Sequence, residues 1–226
     1  MNTRIVDNQY DAIRRALLAM GDLVEEMIDL AGRALSTRDA DLARQVMRQD
    51  NRVDQLEKQI DEHCHEVLAR QQPMAVDLRL LLAVLKITTD LERIGDLSSN
   101  IGRSVRDLVH QETDVDSGDI HELFDAVRRM VAGALDAFMR RDAETAIEVW
   151  QRDSKIDESY RNFFDHLVAR SSAAPEQVAP GYQLLLIARA LERIADHATN
   201  IAEDVIYYVQ GVDIRHTSQH DDGTAP

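Results

Sequence analysis

Apolar residues recur every three to four positions along nearly the whole chain, the spacing that places them on one side of an α-helix. Proline-free stretches of good helix formers support the same structure. The pattern predicts six long helices. The first covers about 5–35, the third ends near 110, the fourth near 140, the fifth before Pro175, and the sixth covers about 181–209.

Polar residues and prolines mark the breaks between these helices. Either Thr37 or Asp39 can cap the second helix, since both side chains accept hydrogen bonds from free backbone N–H groups. Pro73 marks its end and suits the first turn of the third helix. The polar stretch 111–119 is the predicted linker, and the polar tail 213–226 is predicted to be disordered.

The second half of the chain repeats the first. Residues 91–96 read Leu-Glu-Arg-Ile-Gly-Asp and return at 191–196 as Leu-Glu-Arg-Ile-Ala-Asp. In the preceding helix, residues 50–54 return at 153–157, so the offset is 103 residues there and 100 residues in the later helix. A period this long indicates a duplicated domain rather than a solenoid repeat.

The fold class follows from the duplication. The chain is predicted to be all-α, with two homologous three-helix bundles and six long helices in total. The predicted domains are 1–113 and 117–212.

Charge and composition limit the partners and the cellular location that the chain can be expected to have. The chain carries 41 acidic and 26 basic residues, a net charge of -15, which disfavours nucleic acid and anionic lipid as partners. The single cysteine, Cys64, excludes an intrachain disulfide and fits a reducing compartment. No leader-like apolar segment opens the sequence, and the longest apolar run, 80–85, is far shorter than a membrane span. A soluble cytoplasmic protein without direct membrane insertion is expected.

Each predicted bundle carries two pairs of acids four residues apart. This spacing places both carboxylates on one helix face, about 6 Å apart at Cβ, where they repel each other. Oxygen ligands of this kind suit hard cations such as ferric iron, manganese or magnesium. At 100° per residue, Glu92 and Asp96 on the third helix face away from the bundle core. The candidate metal ligands are Asp50, Asp54, Glu92, Asp96, Asp153, Asp157, Glu192 and Asp196.

Other interpretations of the acids stay open at this point. The pairs can be a solvated surface in a purely structural helical adaptor, with Arg93 reaching Asp96 and Lys86 reaching Asp90. A carboxylate-bridged metal enzyme would need an open coordination position in a water-excluding pocket. Glu62 and His65 have the spacing of a di-iron ligand pair, but the second half has no equivalent pair. No catalytic residue is assigned, and an enzyme is not expected.

Several of these motifs together resemble the PhoU family, bacterial regulators of phosphate uptake and phosphate signalling. The resemblance covers about 1–210 and rests on Pro73 with Val-Asp-Leu-Arg at 76–79, on Asp-Leu-Glu-Arg-Ile-Gly-Asp at 90–96, and on the second copy at 191–201. The stretch 175–180 of the second half lacks the Asp-Leu-Arg sequence.

Membership would imply bound metal, a regulatory role and protein partners. The resemblance implies multinuclear metal clusters, with iron in some members, on the acidic pairs, and often a homodimer. It implies negative regulation of phosphate-starvation genes through contacts with the ATPase subunit of the phosphate ABC transporter and with a phosphate-sensing histidine kinase. Asp77 and Arg79 are the candidate partner-binding residues.

Overall fold

The structure, a computed structural model, describes residues 2–111 and 118–214. These residues are helical almost throughout and contain no β-strand, which confirms the all-α prediction. Most of the predicted linker, 111–119, and of the predicted tail, 213–226, lies outside the described residues. The helices are α1 (Asn2–Thr37), α2 (Ala40–Gln71), α3 (Val76–Leu108), α4 (Gly118–Arg140), α5 (Ala143–Gln151), α6 (Asp153–Ala173) and α7 (Val178–Gln210), with a 3-10 turn at Pro175–Gln177.

Equivalent aspartates start α2 and α5. Asp39 Oδ1 accepts hydrogen bonds from the backbone N–H groups of Asp41 and Leu42 at 2.7 and 3.1 Å. Asp142 caps α5 in the same way, accepting from Thr145 N at 3.2 Å. Thr37, the other predicted cap, is instead the last residue of α1. Capping by Asp39 satisfies backbone donors that the new helix leaves without a partner.

Three helix boundaries differ from the sequence prediction. The fifth predicted helix is interrupted at Arg152, so that it forms α5 and α6. Pro73 lies between α2 and α3 rather than in a first helical turn, because the chain adopts positive φ at Ala75 (48°) before α3 begins. The last helix begins at Val178, and Pro180 occupies its first turn, where a missing N–H costs nothing.

The two bundles share one core. Helices α1–α3 pack together as the first bundle, and α4–α7 form the second bundle around α7. Helix α3 packs against α7 and α1 against α4, so the buried apolar residues form a single cluster through both bundles. Independent folding of 1–113 and 117–212 stays a prediction. No helix in the described ranges combines the length and apolar character needed to cross a membrane.

An ion pair and a histidine–carboxylate hydrogen bond join α3 to α7. Lys86 Nζ lies 2.7 Å from Asp204 Oδ1, and His197 Nδ1 lies 2.8 Å from Asp90 Oδ1. Residue numbers rise along one helix and fall along the other, so the two helices are antiparallel. The predicted contact between Lys86 and Asp90 is wrong, because α7 offers Lys86 a carboxylate that is only 9% exposed. A buried carboxylate gains more from a cation than an exposed one does.

Candidate carboxylate sites

The first group of acids lies on the surface shared by α2 and α3. Asp50 and Asp54 come from α2, and Glu92 and Asp96 come from α3; these four residues are called the first patch. All four are partly buried, and the side chains of Glu92 and Asp96 are 18% and 46% exposed. Gly95 permits the close approach of the helices, since a Cβ there would lie 3.0 Å from Val53 Cγ1.

Burial and mutual repulsion dominate the electrostatics of the first patch. Burial, followed by the charge of Asp96, raises the pKa of both Asp50 and Glu92 above the usual carboxyl value. The hydroxyl of Ser99 opposes the rise at Asp50. Arg93 opposes it at Glu92, with its guanidinium 3.3 Å from Glu92 and 3.7 Å from Asp96. The predicted Arg93–Asp96 contact is therefore present, but one arginine does not neutralise four acids.

The second group of acids repeats this arrangement on α6 and α7. Asp153 and Asp157 come from α6, and Glu192 and Asp196 come from α7; these four residues are called the second patch. Burial raises the pKa of Asp153, and the Thr199 hydroxyl, which donates to Asp153 Oδ1 at 3.1 Å, opposes the rise. Burial followed by the charge of Asp157 raises the pKa of Glu192.

Asp196 shows the largest effect within the two patches. The pKa of its carboxyl group is raised to about 6, first by partial burial and then by the charges of Glu192, Asp153 and Asp157. The residue as a whole is nevertheless exposed at the edge of the second patch. Since each acid of the patch influences its neighbours, the four carboxylates predicted from the sequence form one interacting group.

Three further residues belong to the patches and were missed in the sequence. Ser99 and Thr199 stand 100 residues apart, at equivalent positions of the repeat. Thr199 donates to Asp153, whereas the buried Ser99 hydroxyl makes no hydrogen bond to any described residue and only moderates the pKa of Asp50. That shared position is the signal that could have identified them. Glu57 on α2 also has a raised pKa, caused by burial and then by Asp61 and Asp54. Its equivalent in the second half is Tyr160, so the repeat gave no indication of it.

The patches fit a cation by donor chemistry and by charge. Across the described ranges, no three His, Cys, Asp or Glu side chains already converge on a point where they could hold a metal ion. The carboxylates are instead neighbours on one surface, where burial and then mutual repulsion raise their pKa values. A hard cation would relieve that repulsion and would accept carboxylate oxygen as its preferred ligand. Metal binding by the eight acids stays a prediction.

Neither the possible di-iron pair, Glu62 and His65, nor the single cysteine, Cys64, lies in a reactive environment. Glu62 and His65 are both exposed on α2, where water can solvate them. Cys64, between them, is fully buried, and burial raises the pKa of its thiol to about 12. A thiol that does not ionise near neutral pH is a poor nucleophile. Cys64 is therefore a small core residue.

The two candidate partner-binding residues, Asp77 and Arg79, differ in their exposure and in their contacts. Asp77, in the first turn of α3, is exposed. Arg79 is half-buried, and its Nε donates to the backbone oxygen of Tyr208 at 3.4 Å. The positive charge of Arg79 near the last turn of α7 also interacts favourably with the negative end of that helix's dipole. Arg79 thus contributes to the contact between the bundles, while Asp77 is left open to solvent.

The raised pKa values predict the pH dependence of the metal-free protein. A carboxyl whose pKa is higher in the folded than in the unfolded state destabilises the fold once it ionises. For Asp196 this cost is lost as pH falls from the folded-state pKa of about 6 toward the ordinary aspartate pKa of 3.8. With metal removed by a chelator, the melting temperature should therefore be higher near pH 5 than at pH 7.5, measured by circular dichroism.

The matched variant is Asp196→Asn, which should reduce the difference between the two pH values. The lowered pKa values of the helix-start residues Asp41 and Asp142 act in the opposite direction, but only near and below the ordinary aspartate pKa of 3.8. A melting temperature that falls steadily from pH 7.5 to 5 would contradict the account of the patches.

Comparison with known proteins agrees with the duplication. The family model described as the PhoU domain matches twice, at 17–105 and 120–205. The phosphate-specific transport system accessory protein PhoU homolog of Pseudomonas putida is 42% identical over 219 residues, covering 95% of this chain and 86% of that protein. The protein PhoU of Escherichia coli, named in the same way as an accessory protein, is 33% identical over 208 residues, covering 92% and 86%.

Solved structures agree with the fold. The crystal structure of PhoU from Pseudomonas aeruginosa matches with a TM-score of 0.89 and 40% identity, covering 91% of this chain and 99% of that chain. The phosphate transport system regulatory protein PhoU from Streptococcus pneumoniae matches with a TM-score of 0.85 and 29% identity, covering 92% and 98%. The names of these relatives are those of accessory and regulatory proteins rather than of enzymes. On the two matched domains and the identity along nearly its whole length, the chain belongs to the PhoU family.

Proposed function

We propose that this chain is an accessory regulator of a phosphate transport system and represses phosphate-starvation genes when phosphate is plentiful. The observation that carries the proposal is the match of both bundles to PhoU domains, together with relatives named as phosphate transport accessory proteins. Regulation would proceed by contact with the ATPase subunit of the phosphate ABC transporter and with a phosphate-sensing histidine kinase in the cytoplasm. A homodimer belongs to the same proposal.

The exposed start of α3 is the surface that we propose for partner contact. Asp77 is solvent-exposed there, and the apolar side chains of Leu78, its neighbour in sequence, and Leu82, one turn after Leu78, are exposed as well. Apolar side chains next to a charge are typical of a protein-binding surface. Asp77→Lys is the better test of this surface, because reversing the charge of Arg79 would also disturb its hydrogen bond to Tyr208.

We also propose that the two patches bind metal, with iron as the first candidate and manganese or magnesium as alternatives. The ligands would be Asp50, Asp54, Glu92 and Asp96 in the first patch and Asp153, Asp157, Glu192 and Asp196 in the second patch. A bound cation would supply positive charge that holds α2 to α3 and α6 to α7. Support for this proposal comes from the raised pKa values of Asp50 and Asp196, which are caused by burial and then by the charges of neighbouring acids.

The competing candidate is a helical adaptor that regulates by contact but binds no metal. The contact between Arg93 and both acids of α3 favours it, since local charge compensation reduces the need for a cation. The two candidates differ in metal content and not in the expected behaviour of a reporter gene.

Deletion of the gene should activate phosphate-starvation genes in phosphate-rich medium, because the proposed repressing contact is lost. A reporter fused to such a gene measures this, first in the deletion strain and then with the wild-type gene restored. Complementation with Asp77→Lys should restore less repression than wild type, with equal protein amounts confirmed by immunoblot. A reporter that stays silent in the deletion strain would contradict negative regulation.

A further inference from the structure

The two ends of the interface between α3 and α7 differ, although the repeat makes them equivalent in sequence position. At one end, Lys86 pairs with Asp204 and Asp90 pairs with His197. The equivalent positions at the other end hold Leu186 with Ser104 and Ala190 with Leu97. At this second end, small and apolar residues thus stand in place of the two polar contacts of the first end. A cleft of 410 Å³ lies there between α3 and α7.

Three arginines line this cleft. Arg103 comes from α3, while Arg189 and Arg193 come from α7 at a spacing of four, which places them on one helix face. The cluster is specific to this end, since the residues equivalent to Arg103 and Arg189 are Glu203 and Thr89. The full lining is Leu97, Asn100, Arg103, Ser104, Asp107, Gln183, Leu186, Arg189, Ala190 and Arg193.

None of these three arginines forms an ion pair within the described part of the chain. Among the described residues, no carboxylate forms an ion pair with Arg103, Arg189 or Arg193, and Arg103 donates only to the amide oxygen of Asn100. Asp107, the one acid of the lining, lies 2.8 Å from the guanidinium of Arg106 instead. In a chain of net charge -15, the cleft is therefore a local concentration of positive charge.

Acids of both patches lie within electrostatic range of the cleft. Arg103 lowers the pKa of Asp50 in the first patch, and Arg189 and Arg193 lower that of Glu192 in the second patch. These effects are minor beside burial, which raises the pKa of both acids. Arg103, Arg189 and Arg193 are all exposed, so a ligand from solvent can reach their guanidinium groups.

We propose that this cleft binds a small organic polyphosphate, the class to which nucleotides belong. Guanidinium groups bind phosphate oxygens through paired hydrogen bonds, and three of them match a ligand with several negative charges. Leu97, Leu186 and Ala190 form an apolar wall on which the organic part of the ligand can lie. The volume of 410 Å³ lies in the range of small-molecule sites.

Titration calorimetry on the full-length, chelator-treated protein tests the proposal. The probes are ATP and inorganic tripolyphosphate, both without divalent metal and at low salt. Saturable binding of one ATP per chain is expected, with tripolyphosphate weaker because it has no organic part. Arg189→Gln combined with Arg193→Gln should weaken ATP binding by about tenfold or more, the loss expected for charge-assisted hydrogen bonds.

Two control variants separate the cleft from general charge effects. Arg44→Gln removes an exposed arginine of α2 that pairs with Asp41 and lies outside the cleft, so ATP affinity should not change. Leu186→Ala should weaken ATP but not tripolyphosphate. Circular dichroism confirms that each variant is folded.

Three outcomes would overturn the proposal: no saturable ATP binding, equal affinity in the Arg189/Arg193 variant, or tripolyphosphate binding as tightly as ATP. Tighter binding of citrate than of either probe would overturn the choice of phosphate. These measurements use purified protein, so their failure is distinct from failure of the proposed regulatory function.

Discussion

Leu91→Ala and Leu191→Ala are each expected to lower the free energy of unfolding by about 3 kcal/mol, within the usual range for deleting a buried leucine side chain. The two residues begin the repeated Leu-Glu-Arg-Ile sequence and are both fully buried, at 0% exposure. If the repeat gives them the same structural role, the two losses should be similar. Chemical denaturation followed by circular dichroism measures both.

The matched control for these variants is Leu82→Ala. Leu82 is also a leucine of α3, but it is 41% exposed, so its loss should cost less than about 1 kcal/mol. A small effect at Leu91 together with a large effect at Leu191 would mean that the two copies differ in their packing, against the symmetric description of the bundles.

Gly102→Leu is expected to cost about 3 kcal/mol, at the upper end of the usual cost of overpacking. A Cβ at this position would lie 3.0 Å from the backbone oxygen of Ala43, and 3.3 Å from Met47 Cγ. Because the nearest obstacle is backbone, α2 must move away from α3 as a whole. The same movement would separate the two halves of the first patch.

Gly95→Ala provides the contrast on the same helix. The nearest atoms to its new Cβ belong to the side chain of Val53, which can adjust, and alanine favours the helix by about 1 kcal/mol over glycine. The net change in the free energy of unfolding should therefore be within about 1 kcal/mol.

An unchanged denaturation midpoint in Gly102→Leu would show that the close approach of α2 and α3 is not needed for stability.

Most of the fold could be predicted from the sequence because helical periodicity and the internal repeat are local signals. The polar break at Thr37 and Asp39 and the end of the fourth helix near 140 were predicted, and the structure places the capping residues Asp39 and Asp142 there. The interruption at Arg152 was not predictable, since the apolar pattern continues through it. Apolar spacing reports which face is buried and does not report a single non-helical residue.

The candidate site was predicted in part. Spacing of four showed that the acids of each pair are neighbours, and the structure brings the two pairs of each bundle into electrostatic contact. The ion pair from Lys86 to Asp204 and the hydrogen bond between Asp90 and His197 were missed because they join residues more than a hundred positions apart. Such contacts depend on how α3 and α7 pack, which periodicity does not determine.

Metal content is the most direct test of the central claim that the two patches are cation sites. Protein stripped with a chelator would be dialysed against ferric iron or manganese and then analysed for bound metal. The account predicts bound metal in the wild type, the loss of only the first patch's share in Glu92→Gln/Asp96→Asn, and no specific metal once Glu192→Gln and Asp196→Asn are added. Wild-type protein that retains no metal at saturating concentration, or a fourfold variant that retains as much as the wild type, would contradict it.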